Sequence, residues 1–200
     1  GNVEIKNNTI SGLITKKGDC HGISCKYYYE AFKRYHTYND RTGGFQTNGT
    51  VDISNNIIKG LTHLTNASND AYAHGVLSAI YWMHGQNTLH IQNNTIGGAG
   101  VDGLVRGATT KAYIARNLTG TRIIYANAHY NNKVTRNLVL IKNNSITNAD
   151  VLTSAAPAAA DDWGVGFSAI FVDNGALMND IESNTITGCD VANGGRDADA

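Results

Sequence analysis

The chain has 200 residues, 42% of them hydrophobic, enough to bury a continuous core in one domain or in a piece of a larger one. Sixteen Lys and Arg balance sixteen Asp and Glu, so no net field draws the chain to nucleic acid or to an anionic membrane, and no nucleic-acid partner is expected. No run of about 18 apolar residues is available for membrane insertion. The start, Gly1-Asn2-Val3, has neither the basic nor the apolar part of a signal peptide, so any targeting segment is expected to have been removed or to lie elsewhere.

Three cysteines, Cys20, Cys25 and Cys189, are too few for a disulfide framework and lack the CxxC spacing of a metal site, so the redox compartment and the state of Cys20 and Cys25 stay open. Twenty-two Gly, abundant Asn and the single Pro157 point to tight turns made by residues that tolerate positive φ.

The first element in chain order is Val3-Glu-Ile-Lys-Asn-Asn-Thr-Ile-Ser-Gly12. It returns as Val51-Asp-Ile-Ser-Asn-Asn-Ile-Ile-Lys-Gly60, Leu89-His-Ile-Gln-Asn-Asn-Thr-Ile-Gly-Gly98, Val139-Leu-Ile-Lys-Asn-Asn-Ser-Ile-Thr-Asn148 and Asn179-Asp-Ile-Glu-Ser-Asn-Thr-Ile-Thr-Gly188. Two Ile columns result, Ile5, Ile53, Ile91, Ile141 and Ile181, then Ile10, Ile58, Ile96, Ile146 and Ile186. Between them Asn8, Asn56, Asn94, Asn144 and Asn184 never vary. Alternation about each Ile has period two, and Asn accepts the left-handed backbone of a corner. Each copy therefore reads as strand, Asn corner, strand, then a Gly or Asn corner. One copy alone cannot bury its Ile face; parallel stacking does, and it lets the five asparagines form a structural ladder that satisfies polar groups at the bend.

A third strand is expected upstream of each later copy, at Gly22–Tyr28, Gly75–Tyr81, Arg122–Tyr125 and Gly166–Phe171. Aligned on these residues, Tyr27, Ile80, Ile124 and Ile170 form one column and Tyr28, Tyr81, Tyr125 and Phe171 the next, facing opposite sides of the sheet. Ile-column members lie 48, 38, 50 and 40 residues apart, far more than three short strands need, so long insertions are expected. They are placed at Leu61–His74, Ala99–Thr121 and Ala149–Trp163, with an extra excursion, Glu30–Thr50, in the first coil.

This pattern resembles the pectate-lyase-like right-handed parallel β-helix superfamily, including repeat proteins built on an Asn-Asn-x-Ile-x-Gly coil. The resemblance implies an all-β solenoid of four to five coils over residues 1–200, a single domain or a segment of a longer helix without caps. It leaves activity open, since lyases, hydrolases, epimerases, adhesins and other surface proteins share the architecture. It also implies an extracellular or cell-surface setting and a groove beside the upstream strands for saccharide.

Candidate chemistry follows from that groove. His21-Gly22 and His74-Gly75 open upstream strands, with Asp161-Asp162-Trp163 at the matching place in a later coil; they resemble fragments of polygalacturonase-like motifs, in reversed order and without that family's other signatures. A lyase needs a base and a cation beside a uronate, for which His74 and Arg122 are candidates, with Asp161 and Asp162 as carboxylates for hydrolysis or for Ca2+; otherwise no cofactor and no metal are expected. Tyr28, Tyr81, Tyr125 and Trp163 are candidate substrate-binding rings for a polysaccharide or cell-surface glycan, and the aromatic column reads equally as an interior stack. Asn-x-Ser/Thr triplets at Asn7, Asn93 and Asn143 fall inside the Asn corner, which leaves Asn48, Asn66 and Asn117 as the expected glycan acceptors. The leading expectation is a secreted or cell-surface recognition module of adhesin or passenger type. Alternatives are a carbohydrate-active enzyme, and the subunit of a filament assembled by end-to-end self-association.

Overall fold

The computed structural model describes residues 2–15, 20–25, 47–65, 77–82, 86–108, 120–127, 138–153, 166–173 and 178–192. All strand pairing among them is parallel, in three sheets. Sheet A contains β1 (Val3–Lys6), β4 (Thr47–Ser54), β7 (Gln86–Gln92), β11 (Leu138–Lys142) and β15 (Met178–Glu182), side by side in that order. Sheet B holds β2 (Thr9–Thr15), β5 (Ile57–Thr65), β8 (Thr95–Gly97), β9 (Leu104–Ala108), β12 (Ser145–Thr147), β13 (Ala149–Thr153), β16 (Thr185–Thr187) and β17 (Val191–Ala192). Sheet C holds β3 (Cys20–Cys25), β6 (Leu77–Trp82), β10 (Gly120–Asn127) and β14 (Gly166–Asp173). The chain visits A, B and C in the same order each time. Each passage is one coil, laid on the last.

The Ile columns stack as their spacing predicts. Ile5, Ile53, Ile91, Ile141 and Ile181 are successive register partners in sheet A, and Ile10, Ile58, Ile96, Ile146 and Ile186 in sheet B. In the second, third and fourth coils both columns are 0% exposed. Removing an Ile side chain from water is worth roughly 2 kcal/mol, so these columns are the main apolar drive for stacking.

The two asparagines of each corner divide the work. Asn7, Asn55, Asn93 and Asn143, and Ser183 in the fifth coil, carry the left-handed turn with φ between 55° and 59°. The second Asn turns inward and builds the ladder. Asn56 donates its backbone N–H and its Nδ2 to Asn94 Oδ1, both at 3.0 Å, and a further Nδ2 bond to Ile5 O at 2.8 Å. Asn94 and Asn144 repeat this toward the following coil and back to Ile53 and Ile91. Asn56, Asn94 and Asn144 are buried, and they satisfy one another where an unpaired amide would be costly.

The segments expected as insertions begin as strand. Residues 61–65, 104–108 and 149–153 lie in parallel register, Leu61 against Leu104 and Leu104 against Ala149, so each coil has a further leg beyond the Gly or Asn corner. Gly12, Gly60, Asn148 and Gly188 take positive φ at that corner. In the third coil the positive φ falls at Gly97, and residues 99–103 bulge outward as a 3-10 turn, Gly100–Asp102, tied down by Lys59 Nζ to Asp102 Oδ2 at 2.9 Å.

Sheet C corrects the expected alignment in the first coil. Ile23, not Tyr27, pairs with Ile80, and Ser24, not Tyr28, pairs with Tyr81. The cause is Gly22, where a Cβ would meet Ile58 Cγ2 at 2.7 Å and Ala79 O at 2.8 Å. Only glycine lets the backbone come that close, and the approach fixes the register.

Candidate functional site

Sheet C has two unlike faces. Ile80, Ile124, Trp82 and Ala126 belong to the main core, whereas Tyr81 and Tyr125, the residues between them, form a separate cluster with Phe171 packed on it. Alternation puts these rings on the outer side of the sheet. The column is a buried stack crossing the coils, but it is set apart from the main core. The rings are also not an open platform, since Tyr81 is 6% and Tyr125 3% exposed.

The rings form a continuous ladder. His21 stacks on Tyr81 with centroids 4.6 Å apart and planes at 25°, Tyr81 on Tyr125 at 4.6 Å and 16°, and Tyr125 on Phe171 at 5.7 Å and 9°. Parallel strands in register bring equivalent side chains face to face, and flat rings fill that spacing well. The Arg122 guanidinium lies 4.1 Å from the Phe171 ring centroid and 5.1 Å from that of Tyr125, so a cation sits beside these two stacked rings, at the half-buried end of the ladder. At the other end, burial pushes the His21 imidazole down to about 4, which keeps it neutral near pH 7.

Of the residues singled out in the sequence, Arg122, Tyr81 and Tyr125 meet here. Tyr28, His74, Asp161, Asp162 and Trp163 lie outside the described residues. His21 enters the ladder from a coil where Tyr28 was expected; its signal was hidden because it depends on the Gly22 close approach. Phe171 was visible as a column member, but not its pairing with Arg122, which requires Arg122 and Tyr125 to share a face. They do, because Ile123 and Ile124 are successive residues both packed in the core, so the strand bends and simple alternation lapses there.

Cys20, Cys25 and Cys189 are free thiols, and desolvation raises the pKa of Cys20 and Cys25, which makes both poor nucleophiles. Among the described residues no group of three or more His, Cys, Asp or Glu side chains is placed to hold a metal ion. No described helix is long and apolar enough to cross a membrane. The first asparagines of three triplets, Asn7, Asn93 and Asn143, are exposed, and the ladder residue is the one that follows, so the ladder bonds are made by Asn8, Asn94 and Asn144 instead. Asn66 and Asn117 fall outside the described residues.

Compared with known protein families, with curated proteins and with solved structures, the chain matches none.

Proposed function

We propose that this chain is a right-handed parallel β-helix of the pectate-lyase-like kind, working outside the cell or at its surface as a recognition module for glycans. The observation that carries the reading is the Arg122–Phe171 end of the ring ladder, a half-buried aromatic ring with a guanidinium beside it, set apart from the main core. A sugar presents an apolar C–H face and a polar rim. Phe171 suits the first, and the five-donor fork of Arg122 suits hydroxyls or a uronate carboxylate at the second. Tyr81 and Tyr125 act as a rigid base holding this pair in place.

The test is retention of the purified chain on acidic and neutral polysaccharides, with new unsaturated and new reducing ends followed in parallel. Retention without turnover is expected, and Arg122→Ala or Phe171→Ala should weaken it about tenfold, the loss of roughly 1.4 kcal/mol. No retention on any glycan would defeat the reading. Unsaturated product that disappears with Arg122→Ala would replace it with a lyase.

A further inference from the structure

Each corner between sheets A and B is built from three residues with different tasks, and stacking dictates only the middle one. The corners of the interior coils are Asn55-Asn56-Ile57, Asn93-Asn94-Thr95 and Asn143-Asn144-Ser145. The middle Asn is buried and makes the ladder bonds through its amide. The first residue bonds through its backbone: Asn55 N–H donates to Gln92 O at 3.2 Å, Asn93 N–H to Lys142 O at 3.1 Å and Asn143 N–H to Glu182 O at 3.3 Å. The third does likewise, Ile57, Thr95 and Ser145 donating N–H to the carbonyl oxygens of Asn8, Asn56 and Asn94 at 2.8–2.9 Å.

Two positions show what the corner does not need. Ser183 takes the first place in the fifth coil at φ 57°, so the left-handed turn favours Asn there without requiring it. Ile57 takes the third place in the second coil, so the start of that strand requires no hydroxyl. Asn and a hydroxyl residue occurring together in the third and fourth coils exceed what stacking asks. Asn55, Asn93 and Asn143 are exposed, although they belong to interior coils whose Ile columns and ladder asparagines are buried. Thr95 is exposed and Ser145 half-buried. Contrary to the expectation from sequence, stacking encloses the middle of the corner and leaves its first residue at the surface.

We propose that Asn93 and Asn143 are acceptor sites for N-linked sugar, in Asn-x-Thr and Asn-x-Ser triplets presented at the surface of the corner between sheets A and B. The donor is a sugar activated as a phosphate ester at its anomeric carbon, on a lipid or a nucleotide carrier. Asn Nδ2 bonds to that carbon and the carbon–oxygen bond to phosphate breaks. The phosphate leaves with the electron pair, and Nδ2 gives up one proton to a base of the transferase. The two sites lie in adjacent coils, about 4.8 Å apart along the stack, so the sugars form a row on a different part of the coil from the rings of sheet C. This modification does not depend on Arg122 or Phe171.

The test follows both donors. One arm translates the chain, with a leader added, into microsomes that hold a lipid-linked oligosaccharide. The other incubates the folded chain with a nucleotide-activated hexose and an N-glycosyltransferase that uses it. Peptide mass spectrometry should find an oligosaccharide in the first arm or a single hexose in the second, at Asn93 and Asn143. Thr95→Val and Ser145→Ala should each remove one site, and Ile57→Thr should add Asn55, which is exposed in the same turn. The modified chain should keep its circular dichroism and its melting temperature. Unmodified Asn93 and Asn143 in both arms overturn the proposal, as does sugar confined to Asn48, Asn66 or Asn117. So does a modified chain that melts well below the unmodified one, because the sugar would then disrupt the corner.

Discussion

The asparagine ladder at the corner between sheets A and B and the ring ladder on the outer face of sheet C both cross the coils, yet they depend on different physics. In the asparagine ladder Asn56, Asn94 and Asn144 are each donor and acceptor at once, with N–H and amide bonds of 2.9–3.0 Å to the next coil, so these positions must be Asn and the coils must be in step. In the ring ladder His, Tyr, Tyr and Phe follow one another, and the His comes from a position that is not the register equivalent of Tyr81. Directional bonds demand identity; stacking demands only a flat face at the right height. A bonded ladder therefore specifies register, and a stacked one accepts the register it is given.

The largest expected effect breaks the bonded ladder at its centre. Asn94→Leu leaves Asn56 N–H and Nδ2 without an acceptor and removes the Nδ2 that donates to Ile53 O and Asn144 Oδ1, at a residue 1% exposed. The expected loss is about 3–5 kcal/mol in urea denaturation. Asn8→Leu, at the exposed end where one neighbour is held, should cost about 1 kcal/mol. Equal losses at the two sites would mean that the bonds do not act as a two-sided ladder.

That contrast also accounts for how much of the molecule could be read from the amino acids. The Asn and Ile columns were legible because Ile, Asn and Ile keep the same spacing in all five copies, and that invariance is a direct imprint of the bonding geometry. The ring ladder was half legible. Tyr81, Tyr125 and Phe171 fell into one column, but the first member was misplaced because nothing local announces that Gly22 must lie against Ala79 and Ile58. The further leg beyond the corner was concealed for another reason. Its residues, such as Leu61-Thr-His-Leu-Thr65 and Ala149-Asp-Val-Leu-Thr153, share pattern but not identity, since a packing column accepts Leu, Leu or Ala.

A smaller effect separates the ladders by pH. The His21 ring is held near 4 by burial, against 6.5 in the unfolded chain, so between these values the unfolded state binds a proton that the folded state does not. Stability is therefore whole above about pH 6.5 and falls as pH drops toward 4, by about 1–2 kcal/mol, less than full linkage because the ring is not wholly enclosed. His21→Phe keeps the stack and should flatten this part of a pH–melting curve. Asp52 titrates in a different window: its desolvation is outweighed by hydrogen bonds from Lys6 and Ser54, which hold it below its ordinary value, so its contribution is lost only in stronger acid. A slope between pH 4 and 6.5 that survives His21→Phe would place its origin outside the ring ladder.

Within the ring ladder, Tyr125→Leu preserves most of the apolar contact and removes two stacking partners, Tyr81 and Phe171, together with the ring beneath Arg122. About 1 kcal/mol should be lost in urea denaturation, well below Asn94→Leu, although Tyr125 is almost as buried as Asn94. A loss as large as that of the asparagine would mean that the rings, too, set the register.

The smallest effect concerns the cation beside Tyr125 and Phe171. A double-mutant cycle of Arg122→Ala and Phe171→Leu should return a coupling of about 0.5–1 kcal/mol, the worth of a guanidinium 4.1 Å from a ring centroid at a half-buried site. Because the attraction is to a ring quadrupole and not to a carboxylate, raising the salt concentration should change the coupling little, whereas the exposed pair Lys142–Glu182 should weaken. A coupling near zero would mean that Arg122 is held by something other than the ring ladder. The guanidinium would then not be preorganised by the stack, and the argument that Tyr81 and Tyr125 serve as a base for Arg122 and Phe171 would lose its energetic footing.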